Sequence, residues 1–88
     1  MNIGNILDTF LRTTVATSDF SKSDTMKKVK AELKKIINGV YKKKEHQIFV
    51  EAYVVENDFY ALIGIRPLTS QKFGFINCKI RLETNEQT

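Results

Sequence analysis

The chain has 88 residues, 42% hydrophobic and 27% charged, a balance that excludes an intrinsically disordered polymer and leaves room for one domain, not two. The formal net charge is +4, and a single cysteine, Cys78, excludes an intramolecular disulfide framework. No apolar run reaches the roughly 18–20 residues that span a bilayer, and Met1 to Arg12 lacks the cationic start and apolar block of a signal peptide, so one cytoplasmic domain over 1–88 with no membrane partner is expected.

The first segment places Ile3, Ile6, Leu7, Phe10, Leu11 and Thr14 on one side of a helical wheel, which predicts a helix from about residue 3 to 15. Ser18 to Ser23 reads as a polar loop. Ser21 or Ser23 then suits the N-cap of a second helix, with Asp24 in its first turn. Met26, Val29, Leu33, Ile36, Ile37, Val40 and Tyr41 form a wide apolar stripe, and its continuity predicts a helix over about 24–44 that runs through Asn38-Gly39.

From Gln47 the period changes to two, the spacing of a strand. Strands are expected at about 47–56, 59–66 and 72–83, with 84–88 as a polar tail. Asn57-Asp58 is the expected two-residue turn, which pairs Val54 with Ala61, Ala52 with Ile63 and Val50 with Ile65 on one face. The opposite face then pairs Val55 with Tyr60, Tyr53 with Leu62, Glu51 with Gly64 and Phe49 with Arg66. Ile76, Cys78, Ile80 and Leu82 give the third strand its core face. The expected fold class is α+β: two N-terminal helices packed on a three-stranded antiparallel meander, in the order α-α-β-β-β. One long helix nearly covers one face of so narrow a sheet. The first helix must therefore lie at its edge, cross to the other face or pack on a second subunit.

Charge is segregated along the chain. Residues 27–44 hold eight lysines against Glu32 alone, whereas residues 45–60 carry only the acids Glu45, Glu51, Glu56 and Asp58. Lys42-Lys43-Lys44 is the densest basic cluster and the first candidate for phosphate contact, although a lysine-rich helix face also serves solubility. Phe49, Tyr53, Tyr60, Phe73 and Phe75 project from the second sheet face together with Arg66, Lys79 and Arg81. Such a face is either a stacking platform for single-stranded nucleic acid or a surface covered by the first helix or a second protomer. The string Lys72-Phe73-Gly74-Phe75-Ile76 resembles the aromatic-glycine-aromatic core of the RNA-recognition motif, whose two aromatics stack on bases. The β-α-β-β-α-β order of that fold is absent, and no family is assigned. Two helices followed by strands, with Arg66-Pro67 between strands, are similar in outline to bacterial histone-like DNA-bending proteins, but the glycine-rich arm entry, the Arg-Asn-Pro tip and the C-terminal helix are missing.

His46 is the only histidine and Cys78 the only thiol, and Cys78 falls between Ile76 and Ile80 on the core side of its strand. No nucleophile-base pair or metal-ligand cluster emerges, so no enzyme activity, cofactor or metal is expected. The expected function is a nucleic-acid-binding accessory or regulatory protein, with Lys42, Lys43, Lys44, Arg66, Lys79 and Arg81 on phosphates and Phe49, Tyr53, Phe73 and Phe75 for stacking. The alternative is a protein-protein interaction module, a small inhibitor or adaptor using the same aromatic face. The Lys/Ile/Asn-rich composition suits a mobile element as its source, and a homodimer is compatible with either reading.

Overall fold

The computed structural model describes residues 2–83 and shows two helices followed by a three-stranded antiparallel sheet in the order β1-β2-β3. Helix α1 spans Ile3–Phe10 and α2 spans Thr25–Val40; β1, β2 and β3 span His46–Val55, Asp58–Pro67 and Gly74–Arg81. The expected tail at 84–88 lies outside the described residues.

Asn2 caps α1, its side-chain oxygen accepting from the Gly4 amide at 2.8 Å. The expected helix to Val15 is not α-helical throughout. Leu11–Val15 forms one π-helical turn, closed by the Ala16 amide donating to the Leu11 carbonyl at 2.8 Å. The cause is local: the hydroxyls of Thr13, Thr17 and Ser18 donate back to carbonyls one turn earlier and loosen the ladder. The wider turn carries Val15 and Ala16 into the core and leaves Thr14 exposed, against the simple wheel.

The loop that follows is not merely polar. Phe20 reaches back to stack on Phe59 with ring centroids 5.5 Å apart. Asp19 accepts from both the amide and the hydroxyl of Ser21, which holds its carboxyl below the usual carboxylate range. Neither Ser21 nor Ser23 caps α2. Asp24 occupies that position with near-helical backbone angles, and its carboxylate pairs with Lys28 at 3.3 Å in place of an amide.

Helix α2 passes through Asn38-Gly39 as expected but ends at Val40, four residues short of Lys44, because Tyr41 turns to extended backbone (φ −112°, ψ 109°). Tyr41 meets His46 edge to face at 5.4 Å, and Glu45 accepts from Leu68. The chain needs these residues to turn back into β1.

The hairpin corrects the expected register. Val55 pairs with Asp58, Val54 with Phe59, Ala52 with Ala61, Val50 with Ile63 and Ile48 with Ile65, two residues away from the pairing that an Asn57-Asp58 turn gives. Glu56-Asn57 is the actual turn, with Glu56 at φ 56°. A two-residue shift leaves every side chain on its original face, so alternation alone does not distinguish the two registers. The observed one sets Phe59 against Val54 instead of Glu56, and releases Asp58 to bond Arg81. The third strand is also shorter than expected, Gly74–Arg81 in place of 72–83.

Both helices pack on one face. Leu7, Leu11 and Val15 join Val29, Leu33 and Ile37 over Val50, Phe59, Ala61, Ile63, Ile65 and Cys78 in a single cluster. Helix α2 runs over β1, which leaves room for α1 and its π-helical end toward β3, where Glu83 donates to Ala16. The first helix thus takes the edge position among the three alternatives. Its packing leaves the opposite sheet face without a helix.

Two stability outcomes follow. Leu33→Ala, at a fully buried position, should cost about 2–5 kcal/mol in chemical denaturation. Glu56→Gly should gain about 0.5–1 kcal/mol, since relief of a left-handed backbone outweighs the added entropy of glycine in the unfolded chain.

Candidate nucleic-acid interface

The strands align the outer face into rows. Phe49, Gly64 and Phe75 form one row across β1, β2 and β3; Glu51, Leu62 and Asn77 form the next; Tyr53, Tyr60 and Lys79 form the third. Successive rows stand two residues apart along a strand, roughly 7 Å. Tyr53 and Phe75 are more than half exposed, at 54% and 58%, and Phe49 and Phe73 are exposed as well. Together they make the outer face an exposed, largely aromatic surface.

Gly64 holds the first row together. A Cβ at this position would stand 3.1 Å from a ring carbon of Phe73, 3.2 Å from one of Phe75 and 3.3 Å from one of Phe49. Three rings therefore fold over a backbone that has no side chain of its own, and Gly64 is buried beneath them. Phe73 and Phe75 stack on each other at 5.7 Å and 18°. The third row is a second stack, Tyr53 on Tyr60 at 5.1 Å and 16°.

Each stack carries a cation. The Arg66 guanidinium lies 5.9 Å from the Phe73 ring centre and the Lys79 ammonium 5.6 Å from that of Tyr60. Their freedom differs. Arg66 donates to the Gln47 side chain at 2.9 and 3.1 Å and to the Ser70 carbonyl at 2.6 Å, so it is fixed in place beside Phe73. Lys79 has no such tether among the described residues. Arg81 lies at the far end of the sheet, bonded to Asp58 at 2.8 Å, and that carboxylate raises its pKa further. Lys42, Lys43 and Lys44 are exposed in the turn before β1, beyond the end of the sheet that bears Phe49 and Phe75. The expected set is thus divided: the five aromatics, Arg66, Lys79 and Arg81 share the face, with Arg81 paired to Asp58 at its end, while the lysine triplet flanks it.

Sequence reasoning placed Glu51, Gly64 and Asn77 on this face but paired Glu51 with Gly64, where the structure sets Glu51 beside Leu62 and Asn77 and puts Gly64 beneath three rings; Gln47 it missed. An isolated glycine inside a strand pattern was the available signal for close approach. For Gln47 the sequence offers no comparable sign.

Cys78 is buried on the core face, and desolvation pushes its thiol up. Among the described residues, no group of three or more His, Cys, Asp or Glu is placed to hold a metal ion, and no helix is long and apolar enough to cross a membrane. In the folded protein at pH 8, Cys78 should react with a thiol reagent far more slowly than a free cysteine, and unfolding should restore the rate. Rapid native labelling would contradict the burial. Comparison with known proteins finds no matching family model, no matching curated protein and no matching solved structure.

Proposed function

We propose that this chain is a non-enzymatic binding protein that holds single-stranded nucleic acid across the outer face of its sheet, in an accessory or regulatory role. The observation that carries this reading is the pairing of each aromatic stack with a cation on a face that no helix covers. Unpaired bases present π-faces to rings, and their phosphates need positive charge nearby. Lys79 supplies that charge on the face, and Lys42, Lys43 and Lys44 supply it at the end of the sheet. A duplex hides its base faces in the stack, so single strands are the form this surface suits. No base, cofactor or metal chemistry is required of the protein.

The same rings would also serve a dry protein interface, with Tyr53 and Phe75 as its anchors. Binding data separate the two readings. Fluorescence anisotropy with a labelled single strand should show affinity that falls with salt, with a log–log slope of about −3 for some four phosphate contacts. Lys42→Glu with Lys43→Glu should flatten that slope by at least about one unit. Phe75→Ala should weaken binding by about 1–3 kcal/mol while the slope stays unchanged. Absence of oligonucleotide binding at low salt would overturn the proposal and leave the protein interface as the better account.

A further inference from the structure

The row between the two stacks differs in kind from its neighbours. Glu51, Leu62 and Asn77 lie side by side on β1, β2 and β3, with the Phe49–Gly64–Phe75 row on one side and the Tyr53–Tyr60–Lys79 row on the other. Leu62 is half-buried and gives an apolar floor, whereas Glu51 and Asn77 are exposed at its two edges. Among the described residues neither Glu51 nor Asn77 has a side-chain hydrogen bond, and Glu51 has no ion pair. Glu51, Tyr53, Tyr60, Leu62, Asn77 and Lys79 line one shallow depression.

A carboxylate in the middle of a phosphate-binding face works against general affinity. It repels the backbone of any strand laid across it. Its position is therefore informative: the group it fits is one that donates hydrogen bonds. Resting on the single-strand reading above, we infer that this row selects a guanine base. The ring system would lie on Leu62 between the two stacks. Glu51, which only accepts, would take the adjacent N1–H and N2–H of the Watson–Crick edge in a bidentate, charge-assisted pair. The Asn77 amide would donate to N7 on the Hoogsteen edge. The two side chains stand two strands apart, roughly 9.6 Å at the backbone, a width suited to a purine. Thymine and uracil present carbonyl oxygens to Glu51 on either side of their one N–H. Adenine presents a ring acceptor beside its amino group. Both leave the carboxylate facing a lone pair, and cytosine is too narrow to reach Asn77 as well.

The test uses the intact chain and a short oligothymidylate, with and without one central guanine. The wild type should bind the guanine-bearing strand roughly tenfold more tightly. Inosine in place of guanine, which lacks the N2 amino group, should lose most of that gain. Glu51→Gln should abolish the preference while affinity for plain oligothymidylate stays equal or rises, since a repulsive charge has gone. Circular dichroism on the exposed Glu51→Gln variant confirms the fold. Equal binding of the two strands by the wild type, or a preference that survives Glu51→Gln, would overturn the assignment yet leave the single-strand reading standing. Failure to bind either strand would overturn both.

Discussion

The cluster that joins Leu33, Ile37 and Val15 to Phe59 and Ile63 ties both helices to one side of the sheet, and the rest of the architecture depends on it. Burying each of these large side chains contributes about 1.5–3 kcal/mol, so the helices have little freedom to lie elsewhere. Helix α2 takes β1, the π-helical end of α1 takes the side toward β3, and Phe20 closes the hairpin end by stacking on Phe59. Three strands and two helices then have one face in common. The other sheet face is left with side chains that must cover their own backbone.

That face solves the problem with aromatic rings. Around Gly64 three phenylalanines converge over the barest stretch of the central strand, and two tyrosines stack beside it. The rings shield the strand and remain exposed to solvent themselves. Fixing Arg66 to Gln47 and Ser70 keeps a guanidinium against one stack, and Lys79 lies against the other. Positive charge near quadrupolar rings has a structural use, because a cation over a ring is itself attractive. The same arrangement has the composition that an unpaired polynucleotide strand needs. The proposal rests on this coincidence of ring, cation and open face.

The sequence carried the faces of the sheet more clearly than its pairing. Alternation from Ile48 to Val54 and from Phe59 to Ile65 assigns each side chain to the core or to the outer surface, and those assignments hold. Register does not follow, because a shift of two residues preserves both faces, and the choice was left to the turn. Asn57-Asp58 looked the better turn on residue preference, yet packing Phe59 against Val54 places the positive φ on Glu56 instead. Helix ends were hidden for related reasons. Hydroxyl back-bonding opened a π-turn that a regular wheel does not anticipate, and the apolar period through Val40 and Tyr41 continued past the point where the chain must turn toward β1. The aromatic residues of the candidate site were legible as a group. Their division into two stacks was not, because it depends on the true register and on which cations already have partners.

Mapping the contact surface by backbone amide chemical shifts, as a guanine-bearing single strand is titrated into the isotopically labelled chain, tests the central claim most directly. The expected result is a set of perturbations concentrated at Phe49, Glu51, Leu62, Gly64, Phe75 and Asn77, with weaker effects at Lys42 to Lys44. Perturbations confined to the exposed lysines of α2, with the outer sheet face unchanged, would contradict the account and assign nucleic-acid contact to helix charge alone.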